Sequence, residues 1–357
     1  EVGLNRFLAD RGIECVESDL GEFIIQLAGE TPFHIVAPAI HKDRQQVAAL
    51  FREKFPEIPY SEHIEELTAA ARRILRRRFQ HARVGLSGVN FAVAETGTLC
   101  LVENEGNGRM CTTVPQVHVA VTGIEKVVAR LEHVPPLLSL LTRSATGQPI
   151  TTYFNMISGA RREGEKDGPQ EVHLVLLDNG RSRIYGDPEL QATLRCIRCG
   201  ACMNHCPVYT RLGGHAYATV YPGPIGSILE PQLQGLAEQG ELADASSLCG
   251  ACAEVCPVSI PIPRLLNRLR HEGVRGEWGS VVRGRGGRRK RLQATFWKAW
   301  AWLNANSARY HAFARLLSVT RGLQPKRLGP WTRTREAPRV ARRSLHRLVR
   351  DEGFDRE

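Results

Sequence analysis

Seven of the ten cysteines in this 357-residue chain fall between positions 196 and 256. They form two runs. The first is Cys196-x2-Cys199-x2-Cys202-x3-Cys206-Pro207, and the second is Cys249-x2-Cys252-x3-Cys256-Pro257. The first run has the full spacing that serves a pair of iron–sulfur clusters: three thiolates two residues apart wrap one face of a cube. The fourth, followed by Pro, turns away to the other cluster. Gly200 and Ala201 are small, which lets the backbone approach inorganic sulfide and donate hydrogen bonds to it. Zinc usually takes paired C-x2-C units from separate hairpins and has no use for a run ending in Cys-Pro. A secreted disulfide protein would spread its cysteines through a small domain. The runs therefore predict two clusters and a role in passing electrons.

A complete second copy would place a cysteine at position 246, where Ser246 stands beside Ser247. If the fourth cysteine of each run crosses over, the first cluster takes Cys196, Cys199, Cys202 and Cys256. The second takes Cys206, Cys249 and Cys252 and is one cysteine short. A three-iron cluster would fit that set. So would a four-iron cluster completed by water or a non-cysteine ligand, with Ser246 in register, or a ligand from another chain. A four-iron cluster with an incomplete cysteine set is the expected form. His205 and His215 could tune or ligate a cluster but read as structural histidines. Cys15, Cys100 and Cys111 belong to no spaced set and read as core or strand residues.

The length suits two domains and a tail, and 42% hydrophobic with 24% charged residues suits a soluble globular protein. The net charge of +11 is unevenly placed: 23 Lys/Arg against 3 Asp/Glu lie between Arg264 and Arg350, while residues 1–263 carry about −6. Trp297, Trp300, Trp302 and Tyr310 are interleaved with this basic arm. The mixture suits a solvated face, a partner dock or an anionic membrane surface, and, more remotely, nucleic acid. The sequence starts at Glu1. No signal peptide is visible, and no window offers the ~18–20 uninterrupted apolar residues of a span. Trp297–Leu303 is short and broken by Lys298. The expectation is a cytoplasmic protein that could sit peripherally at the inner face of the membrane.

Residues 1–185 read as an α/β domain. Strands are expected at Gly21–Leu27, Gly97–Val102, Val117–Val121 and Val172–Leu177. Helices are expected at Ile64–Phe79 and Ile124–Leu131, the second stopped by Pro135-Pro136. The alternation predicts a largely parallel sheet covered by helices, closed by a turn at Asp178–Ser182. Residues 186–275 form the cysteine domain, with helical runs near Ile225–Leu236 and after Pro263. Residues 276–357 are the basic C-terminal arm, with a flexible Gly/Arg-rich run at Arg283–Arg291 and a helical stretch around Ala294–Leu317.

Four further segments are distinctive. They are Gly85–Thr98 (GLSGVNFAVAETGT), Val102–Arg109 (VENEGNGR), Arg143–Pro149 (RSATGQP) and Leu177–Arg181 (LDNGR). Their glycines match neither a dinucleotide fingerprint nor a P-loop. Glu95, Glu103 and Glu105 could line a polar site or cap loops. Together with the cysteine runs, these segments resemble the lactate utilisation protein B family, the iron–sulfur subunit of a bacterial L-lactate oxidation system. The resemblance covers about residues 1–275. It implies an N-terminal LUD domain, similar to the sugar-isomerase and CoA-transferase type of α/β fold and N-terminally incomplete here. It implies an all-α ferredoxin-like domain, similar to succinate dehydrogenase-type iron–sulfur subunits, with two [4Fe-4S] clusters. It also implies two partner subunits and a part in oxidising L-lactate to pyruvate as a component rather than a complete enzyme. A second reading is an electron relay for glycolate or glycerol phosphate. A third, from another class, is an iron–sulfur nucleic-acid-binding protein.

Overall fold

The computed structural model describes residues 3–275 and 287–353, apart from 326, 328, 334 and 338. The chain divides into two compact units, Glu1–Val282 and Arg283–Glu357.

The first unit opens with helices α1 (Leu4–Ala9), α2 (Leu20–Ala28), α3 (Arg44–Lys54) and α4 (Ile64–His81). Helix α2 occupies the place where a strand was expected. Its ends explain why. The Asp19 carboxylate accepts from the Gly21 N–H at 2.9 Å, and Gly29 closes the helix at φ 67°. Phe23 and Ile24 then pack on Phe51 of α3 and on Ala70, Ala71 and Leu75 of α4. Burial of one helical face outweighs the β preference of Phe23-Ile24-Ile25.

Among the described residues seven strands follow: β1 (Val84–Ser87), β2 (Phe91–Val93), β3 (Leu99–Glu103), β4 (Val117–Gly123), β5 (Val127–Val128), β6 (Tyr153–Ile157) and β7 (Glu171–Leu177). They form two sheets rather than one. Strands β1-β4-β7 are parallel. The order β5-β2-β3-β6 is mixed, with β2–β3 and β3–β6 antiparallel and β2–β5 parallel. The tight turn at Gly97, whose N–H returns to Val93 O at 2.9 Å, forces β2 and β3 into an antiparallel hairpin. The helix expected at Ile124–Leu131 is absent. A 3-10 turn at Ile124–Lys126 leads into β5, where Val127 and Val128 pair with Ala92 and Val93. Pro135 and Pro136 start a helix instead of ending one, because the first turn needs no amide donors. Helix α5 is Asn107–Thr113 and α6 is Val134–Thr146. Cys100 is a fully buried strand residue, as expected, but Cys111 lies on α5 and Cys15 in a loop.

After β7 the described residues are helical or irregular. The helices are α7 (Arg181–Tyr185), α8 (Ala201–Asn204), α9 (Pro207–Leu212), α10 (Gly223–Gln234), α11 (Leu236–Gln239), α12 (Ala251–Glu254) and α13 (Ile262–Arg275). Ile225, Ile228 and Leu229 of α10 meet Ile262, Leu265, Leu266 and Leu269 of α13 in the largest core. A second core joins the two halves of the unit: Phe91, Val93 and Cys100 of the mixed sheet pack with Leu141 of α6 and with Ile197, Cys199 and Ala201. The first cysteine run is thus seated on the sheet.

The second unit holds α14 (Gly287–Asn304), α15 (Ser307–Val319) and α16 (Leu345–Glu352). The one helical stretch expected here is two, because Asn306 caps α15 by accepting from Ala308 and Arg309 N–H. Of the Gly/Arg-rich run, Arg283–Gly286 lies outside the described residues, and the rest opens α14. Trp297, Trp300 and Trp302 are exposed, and Arg309 stacks over Trp302 at 4.3 Å. Among the described residues no helix is long and apolar enough to cross a membrane.

Candidate iron–sulfur centres

The two cysteine runs fold alike. In the first, Arg198 and Gly200 flank Cys199 with φ of 64° and 76°. In the second, Leu248 and Gly250 flank Cys249 with φ of 56° and 92°. Each loop leads into a four-residue helix, α8 or α12. Left-handed residues on either side of the cysteine turn successive amides toward sulfur. The Arg198 N–H donates to Cys196 Sγ at 3.4 Å, and the amides of Ala201 and Ala251 donate to Cys199 and Cys249. Past each run, the Tyr209 N–H reaches Cys206 Sγ at 3.4 Å and the Ile260 N–H reaches Cys256 Sγ at 3.3 Å.

The electrostatics sort the thiols. Burial pushes Cys199 up, and the charges that add to this are those of Cys196 and Cys256. Burial also pushes Cys202 up, with Cys196, Cys199 and Cys252 acting on it. Cys252 is pushed up to about 11 by burial, then by Cys206 and Cys249. Cys249 is exposed, and the Ala251 amide and Ser247 hydroxyl hold it below the usual thiol value. The charges of Cys196 and Cys256 thus act on Cys199, those of Cys206 and Cys249 act on Cys252, and Cys202 feels Cys196 and Cys199 together with Cys252.

This donor set suits iron–sulfur cubes. Buried thiols resist ionisation until a metal takes them as thiolates. A tetrahedral zinc with Zn–S bonds of about 2.3 Å would gather its sulfurs within about 4 Å of one another. Among the described residues, no three cysteine sulfurs lie within 4.8 Å of each other. The trio that does meet that limit is Glu30, His41 and His215. Its members are already engaged: Glu30 holds Lys42 Nζ at 2.6 Å and His41 Nε2 at 2.8 Å, and His215 Nε2 lies 2.8 Å from Thr31 O. His205 Nδ1 lies 3.0 Å from Ala201 O. His205 and His215 thus both have structural partners.

Several residues near the cysteines carried no signal in the sequence. Lys126 Nζ donates to Cys196 O at 2.7 Å, and burial, then Arg198, holds its ammonium down at about 8. Buried Glu125 pairs with Arg181 at 2.5 Å and with Arg198 at 3.5 Å, while Arg198 stacks over Tyr221 at 3.8 Å. A cavity of about 320 Å³ lies beside this group, walled in part by Phe91, Lys126, Val128, Cys196, Ile197 and Val258. On another side, Phe33 O accepts from the Tyr209 hydroxyl at 2.7 Å, and His34 Nε2 lies 3.2 Å from Asn204 Oδ1.

The three glutamates of the N-terminal domain act as caps. Buried Glu103 accepts from the Gly108 and Arg109 amides at 2.6 and 2.8 Å and from Asn155 Nδ2 at 2.6 Å, which fixes the start of α5. Glu105 accepts from the Leu20 N–H at 3.2 Å and Glu95 from the Leu131 N–H at 3.4 Å.

Comparison with known proteins finds three families in tandem along the chain. The LUD domain family matches residues 3–177, a 4Fe-4S dicluster domain matches residues 192–260, and the C-terminal domain of lactate utilisation protein B matches residues 268–354. Lactate utilization protein B of Shouchella clausii is 44% identical over 96% of this chain and 72% of that protein. The protein of that name from Bacillus subtilis is 49% identical over 78% of this chain and 58% of that protein. The electron transport protein YkgF of Escherichia coli, itself uncharacterized, is 47% identical over 79% of this chain and 59% of that protein. The chain thus spans less than two thirds of the length of several relatives. A solved DUF162 family protein from Deinococcus radiodurans aligns with 28% of this chain and 56% of its own at 19% identity and a TM-score of 0.21, too low to bear on the fold. With three family matches in tandem and close relatives over nearly its whole length, the chain carries a 4Fe-4S dicluster domain and belongs to the lactate utilization protein B family.

Proposed function

We propose that this chain is the iron–sulfur electron-transfer subunit of a complex oxidising L-lactate to pyruvate. Cys196, Cys199, Cys202 and Cys256 hold one [4Fe-4S] cluster, and Cys206, Cys249 and Cys252 hold the other. The carrying observation is that both cysteine runs fold into the same loop, with left-handed residues on either side of Cys199 and Cys249 and backbone amides on Cys206 and Cys256. The charges acting on Cys199 and Cys252 come from the members of these two sets. Bound clusters supply one-electron storage, and their adjacency suits hopping between them. The chain's own residues space the thiols, bury Cys199, Cys206 and Cys252, and leave Cys249 exposed. The lactate assignment rests on the relatives' names. Oxidation of lactate releases two electrons and two protons. The two cysteine sets would hold two one-electron carriers for this pair, and the first acceptor of the pair belongs to the partner subunits, two in number.

The same reading divides the chain at 185/186 and 275/276. It takes the second part as an all-α ferredoxin-like domain and the first as a fold of the sugar-isomerase type. It also gives the basic arm, with its exposed tryptophans, a contact at an anionic membrane face on the cytoplasmic side. Salt-sensitive binding to anionic vesicles tests the arm. The whole reading is tested by anaerobic co-purification from the native host, followed by addition of L-lactate. Bleaching of the cluster absorbance in the complex is expected. Bleaching by glycolate or glycerol phosphate but not by lactate would replace the substrate.

A further inference from the structure

We propose that Ser246 Oγ is the fourth protein ligand of the second cluster. The proposal rests on the ligand reading above, in which Cys206, Cys249 and Cys252 supply the other three. Ser246 stands three residues before Cys249, as Cys196 stands three before Cys199. The local structure repeats along with the spacing. The Arg198 N–H donates to Cys196 Sγ at 3.4 Å, and the Leu248 N–H donates to Ser246 Oγ at 3.1 Å. Both donors are non-glycine residues in the left-handed region, at φ 64° and 56°. That conformation is uncommon for such residues, and it recurs at the same place in both loops.

A third correspondence lies on the backbone carbonyls. Lys126 Nζ donates to Cys196 O at 2.7 Å, and Arg270 Nη2 donates to Ser246 O at 3.0 Å. Arg270 is fixed there by a second bond, from Nε to Ala243 O at 2.8 Å. The second loop therefore presents an oxygen where the first presents a sulfur, turned by the same amide and backed by a cation. Serine supplies a hard anionic oxygen once it loses its proton, and the neighbouring guanidinium favours that form. Binding makes an Fe–O bond as the hydroxyl O–H breaks, and the proton leaves to solvent. No electron moves, so no oxidant or reductant is required.

The test uses the full chain, purified anaerobically, with Ser246→Ala and Ser246→Cys variants. Iron per chain, paramagnetic resonance of the oxidised protein and a reductive titration are the readouts. Two four-iron clusters give about eight iron atoms in the parent. Ser246→Ala is expected to lose one iron and to show a three-iron signal when oxidised. Ser246→Cys is expected to keep all of the iron and to move only the second cluster's reduction wave. Unchanged iron, signal and waves in Ser246→Ala would overturn the proposal. So would a parent that already shows the three-iron signal, which leaves the cysteine reading intact. A Cys249→Ala chain that keeps both clusters unaltered would overturn the cysteine reading, and Ser246 with it.

Discussion

Arg268 grips both carboxylate oxygens of Asp187, and its Nη1 stands 2.7 Å from Oδ1. The two residues are 81 positions apart, so the pair ties the entrance of the cysteine domain to helix α13 on its far side. Arg268 also binds Glu189 at 3.1 Å and Glu272 at 2.8 Å, while Asp187 accepts the Glu189 and Leu190 amides. The guanidinium, aided by those amides, holds the Asp187 carboxyl down at about 2 from 3.8. A depressed carboxylate stabilises the fold above its unfolded value and loses that contribution as pH falls toward its folded value. Asp187→Asn should therefore cost about 1–2 kcal/mol at neutral pH, as a partly buried bidentate pair does. In urea unfolding, the gap between parent and variant should stay constant from pH 7 to about 5 and close below 3.8. A gap that widens in acid would remove the pair from the account.

The crossed ligand sets make a separable prediction. Cys196→Ala and Cys256→Ala should damage the same cluster although they lie in different runs. The double variant should lose little more iron than either single one, because residues that act as a unit are not additive. Cys206→Ala should instead reproduce the signature of Cys252→Ala. Iron content and the resonance of the reduced protein decide this. Matching signatures for Cys196 and Cys206, which share a run, would dismiss the crossing.

The cysteine runs were legible because metal chemistry fixes residue type and spacing together, with little help from tertiary context. Strands β3, β4 and β7 were legible for a similar reason, since short β-branched runs carry their own preference. Helix α2 was not, because Phe23-Ile24-Ile25 suits either state and its partners Phe51 and Leu75 come from later in the chain. Pro135-Pro136 misled because the same residues that end a helix are tolerated in its first turn. The sequence also held no sign of Lys126 at Cys196 or of Phe33 at Tyr209. These are single contacts across 70 and 176 residues, without periodicity or motif.

The contact at Phe33 can be tested through a glycine. A Cβ on Gly214 would stand 1.7 Å from Phe33 O and 2.6 Å from its carbonyl carbon. That oxygen already receives the Tyr209 hydroxyl, so it has little freedom to retreat. Gly214→Ala should overpack the seam between the N-terminal helices and the linker joining the two cysteine runs, at about 1–3 kcal/mol. Faster proteolysis within residues 29–42 and a lower melting temperature are expected. A variant that melts with the parent would mean the seam yields freely.

Lys126 gives the sharpest electrical prediction. Its ammonium lies on the carbonyl of Cys196, so its charge sits beside a proposed ligand of the first cluster. Burial already makes the charge costly, which is why its value falls to about 8. A thiolate-bound cluster nearby is anionic and becomes more so on reduction, so an adjacent cation favours the reduced form and raises the potential. Lys126→Gln keeps a hydrogen-bond donor but removes the charge. The first cluster should then become harder to reduce, at more negative potential, while the second cluster's wave stays in place. Lys126→Arg should restore the parent value, since it keeps the charge. Equal shifts of both waves would point to a general loosening of the domain, and no shift at all would show that Lys126 only fixes the loop.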